Sequence, residues 1–329
     1  MKIKVAIIGF GHIGKLHAAT LLAHSQFELA AIIEPCSDRR NTDFPIPFFS
    51  SLDELLNTEI EVDIICIATP NGLHVQQALQ CLDAGKHIIV EKPLALNIVD
   101  AAAIISLAKQ EGLHVFPVMQ NRYSPISQWI KQLVDSQKLG KIYLVQTNCF
   151  WNRDEKYYQK GSWHGTKDLD GGTLFTQFVH FIDMLYWTFG DIENVNAKFF
   201  DFNHQQLTDF EDSGIVQFDF VNGGTGLFSY STAAFQQNIE SSLLIIAENG
   251  TVKISGQYME KVEICRVKED DFFVKQIEDG SLKIASNAAN QYLFYENIVK
   301  FLNGESAQLI VAKEAAAVIG IIQRVYALR

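Results

Sequence analysis

The chain reads as an α/β protein in two parts. A doubly wound parallel sheet comes first, followed by an α/β domain with a large open-faced, mainly antiparallel sheet. Three observations predict this. The first third alternates short Val/Ile-rich runs with helically spaced segments, the pattern of a parallel sheet covered on both faces. Near residue 121 the strands lengthen and begin to alternate apolar with polar residues, as a half-solvated sheet does. The 329 residues also exceed the length, roughly 250–300, at which single cores divide. The expected domains are 1–121 and 122–329.

In chain order, strands are predicted at KVAIIGF, ELAAIIE, VDIICIAT, HIIVEK and HVFPVM. Their nearly continuous hydrophobicity fits strands buried on both faces. Helical spacing marks KLHAATLLAHS, SLDELLN, HVQQALQCLDAG and NIVDAAAIISLAKQEG, the last two ending in a glycine stop. The second part opens with a helix, PISQWIKQLVDSQ. Strands then follow at KIYLVQTNCFW, VNAKFFDF, SGIVQFDFV, TGLFSYST and SSLLIIAENGTVKISG, with hairpin turns at Asn222-Gly223 and Asn249-Gly250. Residues 173–189 predict one long helix interrupting this sheet, and helices over 288–303 and 312–328 close the chain.

Composition narrows the function classes. Apolar residues make up 48% and charged residues 20%, an ordinary globular balance. The formal charge of −11, with no basic cluster, excludes a nucleic-acid partner. Five scattered cysteines without a CxxC pair indicate a reducing compartment. The amino-terminal MKIKVAIIGFG lacks the features of a signal peptide, and no run of about 20 apolar residues predicts a membrane span. A soluble cytoplasmic protein is expected. No metal is expected either, because the histidines lack HxxxH or HExxH spacing and His180 with Asp183 makes only two ligands.

The first strand runs into Gly9-Phe10-Gly11-His12-Ile13-Gly14, a GxGxxG that opens a helix, with Glu34 at the end of the second strand. This is the context of a dinucleotide fingerprint. Gly9 permits the tight turn and Gly11 lets backbone N–H groups approach a pyrophosphate. Gly14 allows close helix–strand packing, and the first helical turn, with His12 and Ile13, faces the phosphate charge. Glu34 would accept the adenosine ribose hydroxyls and repel a 2′-phosphate, favouring NAD over NADP, a preference that Arg39 and Arg40 nearby would soften. Two further landmarks end buried strands, where ligands of open α/β sheets bind: Thr69-Pro70-Asn71 with His74, and Glu91-Lys92-Pro93.

These motifs, with His17 after the glycines and a Gly171-Gly172 pair leading to His180 and Asp183, resemble the Gfo/Idh/MocA oxidoreductases. The resemblance spans nearly the whole chain. It implies a Rossmann domain, an NAD(P)-dependent activity on a secondary hydroxyl of a sugar or sugar nucleotide, and a homodimer or homotetramer through the open sheet. It also implies a cis bond before Pro93 and places Lys92 beside the nicotinamide ribose and the reacting hydroxyl. Burial beside a cationic ring would lower the pKa of such a lysine.

His180 alone, on an apolar face, reads as a core ring satisfied by backbone or by Asp183. The glycine pair, the HxxD ending and the cofactor fold upstream turn it into a substrate-facing base. The family pattern places an aspartate at Thr176 and a glycine at Phe178, so its lysine–aspartate–histidine set is incomplete. On one continuous helix Thr176 and His180 would point the same way. Arg122 and Tyr123 follow the last parallel strand, where the family places substrate contacts and Arg122 would pair with a substrate anion; Thr176 and Asp183 are expected at the substrate too. Trp163 and Arg153 would suit a sugar face and an anionic group. The departures at Thr176 and Phe178 keep open a non-catalytic NAD-binding regulator, and a redox-neutral NAD-dependent glycosidase is a further alternative.

Overall fold

The structure, a computed structural model, describes residues 2–40, 45–159, 162–268 and 286–329. The chain begins β1 (Ile3–Ile8), α1 (His12–Ala23), β2 (Phe27–Ile33), β3 (Phe48–Phe49), α2 (Leu52–Leu56) and β4 (Ile64–Ile67). It continues through α3 (His74–Asp83), β5 (His87–Val90), α4 (Ile98–Gln110) and β6 (Val115–Pro117). These strands form one sheet in the order β3-β2-β1-β4-β5-β6, every pair parallel. Strand order reverses between β1 and β4, the switch point at which such sheets open a ligand crevice. Val5, Ala6, Ile7, Ile64, Ile65 and Ile88 are fully buried, which is why these runs show no alternation.

After β6 come α5 (Pro125–Asp135), β7 (Ile142–Phe150), α6 (Thr173–Thr176), α7 (Val179–Phe189) and β8 (Ile192–Phe200). Then follow β9 (Ser213–Phe220), β10 (Thr225–Ser231), β11 (Glu240–Ala247), β12 (Gly250–Ser255) and β13 (Lys261–Val267), the last absent from the predicted strands. The second sheet runs β13-β12-β11-β7-β10-β9-β8 and is antiparallel except for β7 beside β10. The Asn-Gly turns join β9 to β10 and β11 to β12. Two helices, α8 (Asn287–Leu302) and α9 (Ala312–Tyr326), complete the fold. Among the described residues no helix is long and apolar enough to cross a membrane.

The chain divides into two compact units, Met1–Met119 with Gln291–Ile319, and Gln120–Asn290 with Gly320–Arg329. Residues 291–319, expected in the second domain, therefore belong to the first unit. Side chains of α8 explain this. Tyr295 is fully buried with its ring 5.2 Å from Phe27, and Phe301 packs 4.7 Å from His114. Thr20 also donates to Gln291 Oε1 at 2.9 Å.

The long helix expected over 173–189 is two helices. At the break Phe178 has φ −117° and ψ 6°, and its N–H reaches back to the Thr173 carbonyl at 3.3 Å. The Phe178 ring is fully buried, 5.0 Å from Trp151 and 5.5 Å from Tyr230. Aromatic burial here offsets the interrupted helical bonds. The continuous helix on which Thr176 and His180 were expected to share a face is interrupted between them.

Candidate active site

In the first unit, β1, β2 and β4 deliver their carboxyl ends to the glycine turn. Gly9 has φ +91°, and a Cβ there would lie 2.6 Å from the Ala68 carbonyl oxygen. A Cβ on Gly14 would lie 2.0 Å from the Gly9 carbonyl oxygen, so α1 approaches the turn only because this residue is glycine. Gly11 differs: a Cβ there would meet no protein atom within 4 Å. Internal packing does not require glycine at 11, whereas close approach by an outside group does. Gly11 caps α1 with no side-chain hydrogen bond and no acid in the first turn, where His12 and Ile13 sit. The N–H groups of that turn suit a phosphate. The donor set thus fits a dinucleotide pyrophosphate.

Glu34 is buried, and its carboxylate accepts from Phe10 N at 2.9 Å and Cys36 N at 3.0 Å. It therefore braces the glycine turn, a role the sequence did not reveal. A carboxylate has about four acceptor sites, so capacity for ribose hydroxyls remains. Arg40 is fastened to the carbonyls of Glu34 and Pro35 at 2.6 and 2.9 Å.

Beyond β4, the Thr69 hydroxyl donates to Gln77 at 2.6 Å, Pro70 caps a short 3-10 turn, and Asn71 is buried. His74, expected at the cofactor, is fully buried, with Nδ1 2.8 Å from the Pro93 carbonyl and Nε2 2.9 Å from that of Thr69. Its ring ties one strand-end turn to the other. Burial pushes its pKa down. The Lys92–Pro93 bond is cis.

Glu91 is also internal. His17, fully buried on α1, places Nε2 3.0 Å from Glu91 Oε1 and Nδ1 2.7 Å from the Tyr295 hydroxyl. Glu91 Oε2 accepts the Lys92 N–H at 3.1 Å. Burial opposes charge on His17, but Cys66 and Glu91 overcome it and raise its pKa to about 10. Relative to the ordinary value of about 6.5, a raised folded pKa gives stability that is complete below that value and gone above the folded one. His17→Gln is expected to cost about 1.5–3 kcal/mol. The gap between wild-type and variant melting temperatures should narrow as pH rises from 6.5 toward 10. A gap independent of pH would show that His17 is not charged in the fold.

In the second unit, Arg122 and Asp183 form a buried two-pronged pair, Nε to Oδ2 at 2.9 Å and Nη2 to Oδ1 at 2.6 Å. The guanidinium also lies 5.4 Å from the Trp187 ring. Both residues were expected to meet substrate, yet each charge is answered by the other. Tyr123 is buried, and burial raises its pKa. Trp163, half-buried, stacks on His164 at 3.9 Å.

The Thr176 hydroxyl donates to the buried Asp170 carboxylate, which also accepts Gly165 N–H at 2.8 Å. An acid absent at 176 is thus present beside it, and the signal was the aspartate immediately before the paired glycines. Gly172, at φ +129°, leaves room for the Tyr326 hydroxyl, which donates to Glu211 at 2.8 Å and accepts from Leu174 N at 3.0 Å. His180 is half-buried, whereas Val179 and residues 181–185 are buried. It is the early α7 side chain not sealed into the core.

Comparison with known proteins agrees with this architecture. Residues 3–118 match the oxidoreductase family with an NAD-binding Rossmann fold, Gfo/Idh/MocA, and residues 127–253 match the C-terminal domain of the same family. The chain is similar to the WlbA dehydrogenase of Bordetella pertussis, solved with NADH and UDP-GlcNAcA. That likeness has 27% identity and a TM-score of 0.93 and covers 99% of this chain and 95% of that one. The WlbA dehydrogenase of Chromobacterium violaceum, with the same two ligands, gives 27% identity and a TM-score of 0.90, covering 99% and 93%. A Bacillus subtilis scyllo-inositol 2-dehydrogenase (NADP(+)) is 26% identical over 198 residues, 60% of this chain and 54% of that protein. The matches span 53–60% of the length of the first curated relatives. With both of its sequence signatures present in order over a parallel and an antiparallel sheet, the chain belongs to the Gfo/Idh/MocA oxidoreductase family.

Proposed function

We propose that the chain is an NAD-dependent oxidoreductase acting on a secondary hydroxyl of a sugar or sugar nucleotide. The open space at Gly11, inside a turn otherwise closed by Gly9, Gly14 and Glu34, carries this reading. The two WlbA dehydrogenases, each solved with a sugar nucleotide, support the substrate class. Bound NAD supplies the hydride acceptor. The chain must hold the cofactor, orient the sugar and remove the hydroxyl proton.

The first-turn N–H groups of α1 hold the pyrophosphate, and Glu34 takes the adenosine ribose, its charge opposing a 2′-phosphate. Thr69, Pro70 and Asn71 form the wall at the end of β4, braced by His74. Lys92, braced by Glu91, and His180 are the proton-handling residues. Thr176 with Asp170 holds the turn that leads into His180.

Incubating the protein with NAD and a panel of sugars and UDP-sugars, while following NADH absorbance, tests the reading. NADH formation is expected. Silence across the panel with NAD still bound would indicate a regulator instead. Product without net NADH would indicate redox-neutral cleavage. His180→Ala is expected to lower turnover about 10²-fold, and an unchanged kcat would return His180 to a packing role.

A further inference from the structure

Arg153 follows β7 and is fixed by neutral groups alone. Its guanidinium lies 4.8 Å from the Trp151 ring and 5.0 Å from the Tyr157 ring. Nε donates to Gln177 Oε1 at 2.7 Å, and Nη1 donates to the Asn152 carbonyl at 2.6 Å and to Asn238 Oδ1 at 3.3 Å. The supports are themselves held. Gln177 donates to the Tyr157 hydroxyl at 2.7 Å, and the Trp151 indole N–H donates to Ser241 at 2.7 Å. Among the described residues no carboxylate pairs with Arg153, and the Tyr157 hydroxyl is a further, neutral hydrogen-bond partner of its guanidinium.

The other fixed arginines of this unit behave differently. Arg122 meets Asp183, Arg324 meets Asp191, and Arg329 meets Glu211. Within this unit Arg153 is a half-buried guanidinium immobilised by neutral partners instead of an acid. Such a planar fork is built for a carboxylate or phosphate. Beside it the Tyr157 ring packs on His164 at 4.4 Å, and His164 stacks on Trp163. That aromatic series suits the apolar face of a sugar ring. Gln177, which fixes the fork, lies three residues before His180.

We propose that Arg153, clasped by Trp151 and Tyr157, is an anion subsite that takes a carboxylate or phosphate carried by the substrate sugar. The proposal rests on reading the chain as a sugar oxidoreductase and narrows that reading to acidic sugars. The outer edge of the guanidinium receives the oxyanion, while the aromatic series receives the ring.

The test compares matched substrates in wild type, Arg153→Gln and Arg153→Lys. UDP-GlcNAcA against UDP-N-acetylglucosamine isolates the carboxylate. N-acetylglucosamine 1-phosphate against N-acetylglucosamine isolates the phosphate. Wild type is expected to prefer the acidic member of one pair in kcat/KM. Arg153→Gln should reduce that preference by roughly 10- to 100-fold, and Arg153→Lys should retain part of it. The pair that responds identifies the anion. An equal effect of Arg153→Gln on both members of each pair would overturn the subsite. If no sugar is turned over, the oxidoreductase reading fails, and calorimetric titration with the same four compounds decides the subsite separately. Acid-selective binding lost in Arg153→Gln upholds it, and binding without such selectivity removes it. Should Arg153→Gln not fold, the same comparison in Arg153→Lys decides, since identical preference in wild type and lysine variant would exclude recognition by the planar fork.

Discussion

Lys92→Ala is expected to lower turnover by roughly 10²- to 10⁴-fold, the range for loss of a proton-handling group, while NADH affinity moves far less. The scaffold makes the experiment clean. The Lys92 N–H is held by Glu91 Oε2 at 3.1 Å, and the next carbonyl, that of Pro93, lies 2.8 Å from His74 Nδ1. Leu94 and Ala95 are buried behind it. None of these supports involves the lysine side chain. Lys92→Arg should not restore turnover, because a guanidinium keeps its proton at any working pH. Turnover of Lys92→Ala within about threefold of wild type, far below the usual loss, would remove the lysine from the chemistry.

Asp183→Ala should destabilise the protein by roughly 3–5 kcal/mol, since it leaves the Arg122 guanidinium buried without its counter-charge. Both side chains are nearly inaccessible, at 5% and 1% exposed, so water cannot replace the lost partner. Arg122→Met combined with Asp183→Leu should recover much of the loss, because a well-packed apolar pair avoids the desolvation cost. Denaturant unfolding of the three proteins measures this. A single variant within about 1 kcal/mol of wild type, as for an exposed pair, would mean that the bridge is not an internal tie.

The parallel half was legible because its signals are local. Continuous apolar strands, a glycine turn and an acid at the next strand end each follow from short-range sterics, and Gly9 and Gly14 occupy positions where a side chain would collide. The features that escaped depend on residues far apart. Arg122 and Asp183 stand 61 positions apart, and the Tyr295 hydroxyl reaches His17 across 278. No spacing rule pairs them. The break at Phe178 was invisible for a different reason: TLFTQFVHFID is apolar nearly all round, so helical periodicity continues through a point that aromatic packing interrupts. Glu34 could be read from the sequence as a candidate ribose ligand but not as a brace for its own turn, because its Phe10 and Cys36 bonds are made by backbone.

The contact between Thr176 and Asp170 turns two positions into a single choice. A carboxylate grafted at 176 would face the one at 170 within hydrogen-bonding range, and two acids so close cannot both ionise. One would hold a proton at neutral pH, so the pair would carry a single negative charge rather than two. A chain built on this loop can therefore keep its anion at 170 and a hydroxyl at 176, or reverse the two, but not duplicate the charge. Threonine at 176 is then the complement of an acid already installed six residues earlier.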